Sequence, residues 1–176
     1  MYKKGLLTLF TIVTLSFSLS AGEVIDYVGT GIASQKIDNN NFDKGSSLII
    51  NAGKENLIND IGLEIEGTFP INKPQATITG VTSSLKFWSM GMYGTYLWKV
   101  DKITIKPRLG IVYENIKSAF NTSSTNPTKA TDISKIAISG GIGLSYKLTK
   151  KYKIYTNYTK FEDDIDHLTF GAEFKF

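Results

Sequence analysis

The architecture of this chain is read most directly from the run Trp88-Ser-Met-Gly-Met-Tyr-Gly-Thr-Tyr-Leu-Trp98. Trp88, Met90, Met92, Tyr96 and Trp98 share one face of a strand, because successive side chains point to opposite sides. The two tryptophans are ten residues apart. In a strand tilted by about 40° they are separated by roughly 25 Å of depth, the spacing between the aromatic girdles of a transmembrane barrel. We therefore predict an aromatic girdle that contains Trp88, Tyr96 and Trp98.

The rest of the chain after residue 22 alternates in the same way, with polar breaks between the runs. We predict strands over residues 24–36, 45–54, 61–69, 82–99, 103–117, 133–149, 152–160 and 167–176. The connections alternate in length: 55–60, 100–102 and 150–151 are short, whereas 37–44, 70–81, 118–132 and 161–166 are longer and polar. Short periplasmic turns alternating with longer outer loops, and an even strand number, are typical of bacterial barrels. The pattern predicts an all-β, eight-stranded, antiparallel up-and-down transmembrane β-barrel.

A soluble periplasmic sandwich also alternates, so pattern alone leaves that alternative open. Several runs reach the ~9–11 residues that a spanning strand needs, which favours the barrel. The two folds assign the faces oppositely. In a barrel Ile138 contacts lipid and Ser139 faces the lumen, whereas a sandwich buries Ile138. Pro107 lies inside the fifth strand and cannot donate to a ladder, so we expect a local bulge there.

The start of the chain predicts export. A positively charged beginning is followed by an uncharged stretch over residues 5–19 and by small residues around Ala21. This order is that of a secretory signal peptide, and the stretch is short for a transmembrane anchor. We predict a cleaved signal peptide over residues 1–21 and one barrel domain over residues 22–176.

The composition excludes several functional classes. The chain has 20 Lys and Arg residues against 16 Asp and Glu residues, with no basic tail or block, so no nucleic-acid partner is predicted. It contains no cysteine, which excludes a disulfide framework. No nucleotide-binding loop, zinc-ligand spacing or nucleophile elbow occurs. We therefore predict no cofactor and no metal site.

The polar faces of the predicted strands carry charges of both signs. An eight-stranded barrel has an interior just wide enough for side chains to fill, and a buried charge without a partner is costly. The predicted lumen charges should therefore pair; they are Glu64, Glu66, Lys106, Arg108, Glu114, Lys135, Lys147, Glu173 and Lys175. We favour a salt-bridged plug that holds the barrel together. A gated, weakly conducting core is the alternative.

One further cluster suggests an enzyme hypothesis: Glu162, Asp163, Asp164, Asp166 and His167. Asp166 and His167 are adjacent, however, so in a strand they point to opposite faces and cannot act as a pair. We predict a solvated acidic loop tip and no catalytic residue. A second interpretation is that these carboxylates share divalent cations with lipopolysaccharide phosphates.

The end of the chain, His167-Leu-Thr-Phe-Gly-Ala-Glu-Phe-Lys-Phe176, resembles the terminal strand of Gram-negative outer-membrane barrels. Those strands end in Phe and carry apolar residues at alternate positions. The resemblance implies that Leu168, Phe170, Phe174 and Phe176 form the recognition signal for the barrel-assembly machinery.

Three other runs resemble the small OmpA-like and opacity-protein-like barrels: Tyr27-Val-Gly-Thr-Gly-Ile32, Asn59-Asp-Ile-Gly-Leu-Glu-Ile-Glu66 and Lys106-Pro-Arg-Leu-Gly-Ile-Val-Tyr113. The resemblance covers essentially the whole chain after the signal peptide. It implies a location in the outer membrane of a Gram-negative bacterium.

A fold does not specify a function. We predict a small integral outer-membrane barrel with a structural or surface-interaction role, and not an enzyme. Its expected partners are outer-membrane lipid and lipopolysaccharide, the barrel-assembly machinery during biogenesis, and a host or surface ligand contacted through the extracellular loops. A small gated pore is the first alternative, and an enzyme acting at the loop face is the second.

Overall fold

The alternating runs pair with one another as antiparallel strands in a computed structural model that describes residues 24–37, 43–78, 81–121, 130–161 and 165–176. The hydrogen-bonded segments are β1 (Tyr27–Ile37), β2 (Gly45–Ile58), β3 (Ile61–Asn72), β4 (Gln75–Ile78), β5 (Val81–Tyr96), β6 (Trp98–Val100), β7 (Ile103–Asn121), β8 (Ala130–Lys147), β9 (Tyr152–Phe161) and β10 (Ile165–Lys175). Both β3 and β4 pair with β5, and both β5 and β6 pair with β7. The ten segments therefore make eight barrel strands, as predicted.

The first and last strands close the sheet. β1 pairs with β10 in an unbroken register that runs from Tyr27 opposite Lys175 to Ile37 opposite Ile165. Closure removes the free edges through which an open sheet aggregates. The predicted up-and-down barrel is confirmed. Within the described residues, no helix is long and apolar enough to cross a membrane.

The two faces of the closed sheet have the polarity of a membrane barrel. The side chain of Ile138 is 67% exposed on the outer surface, whereas that of its neighbour Ser139 is 2% exposed inside. Most large apolar side chains of β3, β7 and β8 are likewise exposed, while charged and hydroxyl side chains fill the interior. This is the inverse of a soluble core, so the sandwich alternative is wrong.

Tight turns gather at one end of the barrel. Ile58 pairs with Ile61 across a two-residue turn whose residues, Asn59 and Asp60, have φ of 43° and 63°. Positive φ at both positions matches the turn to the twist of the flanking strands. The backbone N–H of Phe176 donates to the carbonyl of Asp26 at the same end, over 3.1 Å. Short turns define the periplasmic end of such barrels, and we use that name for it.

Pro107 does not cause a bulge. The register of β7 is unshifted on both sides, with Pro107 opposite Ile142 on β8. On the other side the pairing of β5 with β7 ends at Thr95 opposite Arg108, and β6 resumes it in the same register at Trp98 opposite Ile105. The missing N–H of proline is thus accommodated by a gap of two residue pairs in the ladder, and the predicted bulge is wrong.

The strands extend further than predicted at the opposite end. β7 has 19 residues and β8 has 18, well beyond the ~9–11 needed to span the hydrocarbon. Part of the predicted loop over residues 70–81 is strand as well, because β4 pairs with the start of β5. Parts of the four predicted outer loops, residues 38–42, 79–80, 122–129 and 162–164, lie outside the described residues. We call this end of the barrel the extracellular end.

Candidate functional site: the barrel lumen

Buried aromatic side chains fit into the lumen where the neighbouring strand carries glycine. The Tyr155 ring lies so close to β10 that a Cβ on Gly171 would be 2.6 Å from it. A Cβ on Gly53 would be 2.6 Å from the Cζ atom of Tyr27. These glycines are therefore needed to leave space for the two tyrosine rings inside the barrel.

Two acids of β3 and two bases of β7 form the central ion-pair network. Lys106 Nζ is 2.6 Å from Glu64 Oε2. Arg108 Nη1 is 2.8 Å from Glu64 Oε1 and 2.6 Å from Glu66 Oε2. All four side chains are buried. Because β5 separates β3 from β7, these bonds cross the lumen and tie together strands that do not pair.

The network reaches the strands that close the barrel. Tyr27 on β1 donates its hydroxyl to Glu64 Oε2 over 2.5 Å. Lys106 Nζ is 3.3 Å from Glu173 Oε1 on β10. A single lysine thus links the middle of the barrel to its closing strands.

Arg108 contacts residues of three other strands in this network. Besides the two carboxylates, it donates to the hydroxyl of Thr159 on β9. Its guanidinium carbon lies 4.4 Å from the centre of the Tyr93 ring, a cation–π arrangement. Tyr93 in turn donates to Ser139 over 3.3 Å. Arg108 therefore connects β3, β5 and β9 through its own contacts.

A second group of charges lies at the periplasmic end. Glu55 on β2 accepts hydrogen bonds from Lys153 on β9 and from Lys175 on β10, the latter over 2.8 Å. The backbone N–H of Glu55 donates to Asp26 over 2.7 Å. Sequence reasoning included Lys175 but missed Glu55 and Lys153, because Glu55 was assigned to a turn. It joins the network because β2 continues to Ile58.

The remaining predicted lumen charges differ in position. Glu114 is fully buried on β7, directly opposite the half-buried Lys135 on β8. Lys147 is exposed at the periplasmic end of β8, so its assignment to the lumen is wrong. Lys147 has the same alternation as the inward-facing residues of β8, but it lies beyond the periplasmic end of the lumen.

An aromatic layer fills the lumen on the extracellular side of the ion pairs. The ring centroids of Phe87 and Phe161 are 5.3 Å apart, in an edge-to-face arrangement. The His167 ring lies 4.6 Å from Phe161 and 5.5 Å from Phe87. Val112 and Ile165 complete this layer or pack beside it. Sequence reasoning missed Phe87 and Phe161, although Phe87 alternates with the outward-facing Trp88 and that parity places it inside.

His167 is not part of a solvated loop tip. Its side chain is buried in the lumen, with Nε2 3.1 Å from the amide nitrogen of Gln35. Asp166 points the other way, as alternation requires, and is half-buried. The other three members of the acidic cluster, at positions 162–164, lie outside the described residues. In the described part of the chain, no three His, Cys, Asp or Glu residues converge as a metal site requires.

The outer surface carries aromatic side chains toward both ends. Tyr96 and Trp98 are exposed near the periplasmic turns, and Trp88 is half-buried against Tyr113, with ring centroids 5.5 Å apart. The structure thus places Trp88 and Trp98 on the same outer face of one barrel strand, with Trp98 at its periplasmic end and Trp88 near its middle.

The last strand presents a row of apolar residues outward from Leu168 onward. Leu168 and Phe170 are exposed on the lipid face. Phe174 and Phe176 are half-buried at the periplasmic end, with ring centroids 5.5 Å apart. The four residues of the predicted assembly signal therefore form one outward row on the closing strand.

Residues 6–176 match the family model described as "Outer membrane protein beta-barrel domain". The chain belongs to this family. It is an integral outer-membrane β-barrel protein, and the family and location predicted from the sequence are confirmed. No curated protein matches the sequence.

Solved structures similar to this chain are small outer-membrane barrels. Ail, the attachment invasion locus protein of Yersinia pestis, is 17% identical with a TM-score of 0.61, over 86% of this chain and 98% of that one. Neisserial surface protein A is 20% identical with a TM-score of 0.56, over 85% and 96%. The N-terminal barrel domain of Pseudomonas aeruginosa OprF is 14% identical with a TM-score of 0.53, over 86% and 98%. At these identities the likeness concerns the fold. It agrees with the expected fold, a small eight-stranded barrel.

Ail is also similar to this chain in its complex with the heparin analogue sucrose octasulfate, at 16% identity and a TM-score of 0.61, over 86% of this chain and 98% of that one.

Proposed function

We propose that this protein is a closed, non-conducting barrel that anchors extracellular loops for a structural or surface-interaction role. The observation that carries the proposal is the filling of the lumen in two layers. The ion-pair network around Arg108 occupies the middle, and the rings of Phe87, Phe161 and His167 lie above it. A path for ions would have to displace both layers.

The chemistry of the two layers argues against the pore alternative. Breaking a buried ion pair leaves an uncompensated charge in a small lumen, which is costly. The aromatic layer offers few polar groups to hydrate a passing ion. If only one layer opened, the other would still close the lumen. Both layers would have to open together, so a gated pore would show only rare openings.

The extracellular end supports the surface-interaction role. The pairing of β7 with β8 continues to Ala119 opposite Ala130, so these two strands extend the barrel wall toward the loops. Loops positioned by a rigid scaffold are where binding residues concentrate. The complex of Ail with a sulfated ligand is consistent with the use of this fold for ligand binding. A host or surface ligand contacted through the loops is therefore part of the proposal.

The same proposal excludes catalysis at the loop face. The single histidine, His167, is enclosed by Phe87, Phe161 and Gln35, away from solvent. A general base must reach the proton that it abstracts, and a substrate at the loops does not reach this ring.

Planar-bilayer recordings test the closed lumen. The wild-type protein should show rare, small openings and no steady porin current. Phe87→Ala combined with Phe161→Ala should increase the frequency of openings, because it removes the aromatic layer. The matched control is Phe69→Ala, which truncates a lipid-facing phenylalanine and should leave the recordings unchanged. A large and stable current through the wild-type protein would reject the proposal and favour the pore.

We further infer that residues 1–21 are removed after export and that the outward row Leu168, Phe170, Phe174 and Phe176 is read by the assembly machinery. Phe176→Asp should lower the outer-membrane level of the protein severalfold while leaving export and cleavage after Ala21 intact. Phe176→Trp, which keeps a terminal aromatic ring, is the matched control. Fractionation, N-terminal sequencing and heat-modifiability on gels measure these three steps. Normal outer-membrane levels of folded Phe176→Asp protein would show that the terminal residue is not read.

A further inference from the structure

Four lysines are exposed at the periplasmic end beside β7 to β10. Lys102 lies in the turn before β7, Lys147 ends β8, and Lys150 and Lys151 form the turn before β9. The backbone N–H of Lys147 donates to the carbonyl of Lys102 over 2.8 Å, so the two turns lie side by side. We call these four residues the basic rim.

The basic rim is not used to hold the barrel together. No salt bridge joins any of its members to a carboxylate in the described ranges of the chain. The other lysines of the periplasmic end are engaged: Lys153 and Lys175 with Glu55, and Lys99 with Asp60 over 3.8 Å. Asp101, beside Lys102, is the one carboxylate in the two turns of the rim. The rim is therefore a concentration of unneutralised positive charge.

Aromatic side chains lie immediately next to the rim on the membrane side. Tyr146 and Tyr152 are exposed on the outer surface, and the Tyr152 ring is 5.3 Å from that of Phe174. The ammonium of Lys151 lies 5.6 Å from the centre of the Phe174 ring. Aromatic girdles mark the membrane–water interface of barrels. Lysines just beyond such a girdle are at the level of lipid headgroups.

We propose that the basic rim binds the phosphate groups of anionic phospholipids in the periplasmic leaflet. The positive charge, the flexible lysine stems and the depth at the headgroups suit this ligand, since polybasic segments at a membrane surface attract anionic lipid. A soluble polyanion could contact the same lysines, but it would not contact the aromatic side chains beside them. The proposal goes beyond the proposed function and holds whether or not the lumen conducts.

The two tryptophans of the chain provide a matched pair of reporters. Trp88→Phe leaves Trp98 at the periplasmic end, on the strand that pairs with β7. Trp98→Phe leaves Trp88 toward the extracellular end. Each full-length protein is refolded into vesicles that contain either dibrominated phosphatidylglycerol or dibrominated phosphatidylcholine, and bromine quenching of tryptophan fluorescence gives the relative association of the two lipids.

We expect Trp98 to report a preference for phosphatidylglycerol of roughly three- to tenfold, the order expected for about one lysine acting on a headgroup. The quadruple variant K102Q/K147Q/K150Q/K151Q should reduce this ratio to about 1, and the preference should fall with salt. The same variant should not change the ratio at Trp88. K36Q/K86Q/K117Q/K160Q, which removes four exposed lysines of the extracellular end, should leave the Trp98 ratio unchanged.

Two further arms keep the test decisive. K102R/K147R/K150R/K151R retains the charges and should retain the preference, and heat-modifiability verifies that each variant is folded. A wild-type ratio of about 1 at Trp98, or a preference that survives K102Q/K147Q/K150Q/K151Q, would overturn the proposal. Binding of a soluble polyanion to the periplasmic end without any lipid preference would also overturn it, in favour of a soluble partner.

Discussion

Arg108→Met is expected to destabilise the folded barrel by about 3–5 kcal/mol, the usual cost of removing one partner from a buried ion pair. The substitution retains most of the volume of the side chain but leaves Glu66 buried without the guanidinium that contacts both of its oxygens. Glu64 retains Lys106 at 2.6 Å, so the loss falls mainly on Glu66. Urea titration of the refolded protein, followed by tryptophan fluorescence, measures the free energy of unfolding.

A rescue variant separates charge from packing. Arg108→Met combined with Glu66→Gln should recover a large part of the loss, because the orphaned carboxylate is then neutral. The matched control is Lys117→Met, which breaks the 2.7 Å ion pair with Asp132 on the exposed surface. Exposed pairs contribute only about 0–1 kcal/mol. The network would not stabilise the barrel as described if Arg108→Met were as mild as Lys117→Met.

Met92→Arg is expected to cost about 2–4 kcal/mol, the penalty for arginine at the midplane of such barrels. Met92 points outward near the midpoint between Trp88 and Trp98, and its side chain is 50% exposed. The matched control is Val100→Arg, further along the same barrel strand and past Trp98 toward the periplasmic end, with a comparable exposure of 53%. Near the interface the cost falls to about 0–1 kcal/mol. Urea titration in lipid vesicles compares the two variants directly.

Cysteine labelling tests which side chains face lipid and which face the lumen, without introducing a charged side chain. The chain has no native cysteine, so Ile138→Cys and Ser139→Cys each carry a single thiol. A lipid-phase reagent should label Ile138→Cys and spare Ser139→Cys. Free labelling of Ser139→Cys by a water-soluble maleimide, with Ile138→Cys protected from the lipid-phase reagent, would contradict the barrel.

For the arginine variants, equal free-energy costs for Met92→Arg and Val100→Arg would contradict the assigned membrane depth.

The faces of the strands were predictable because alternation is a local property. A strand places residues i and i+2 on one side whatever it pairs with. Alternation puts Ile138 and Ser139 on opposite sides, and in the structure Ile138 is exposed outside while Ser139, Glu64, Glu66, Lys106 and Arg108 are buried. The strand count followed from the alternation of short and long breaks, which is also a property of neighbouring residues.

Strand ends were harder to predict. The alternation of side chains along β8 assigns Lys147 to the lumen. Alternation does not show where the lumen ends, however, and Lys147 lies beyond its periplasmic end. The residues of the 70–81 segment are polar enough for a loop, yet β4 pairs with β5 because the neighbouring strand is already aligned beside it. The effect of Pro107 on the sheet also depends on its neighbours, because the strand pairing decides which adjacent strand lacks the hydrogen bond that proline cannot donate.

Partner choice inside the barrel depends on closure and strand tilt. Glu64 and Lys106 are 42 residues apart and lie on strands that do not pair. They meet because the closed, tilted sheet brings them to one level of the lumen. The same geometry buries His167 between Phe87 and Phe161, although its sequence neighbours suggested a solvated loop. The chain encodes which side of the sheet each residue faces through a period of two residues. Which residues meet across the lumen follows from register and closure, properties of all eight strands together.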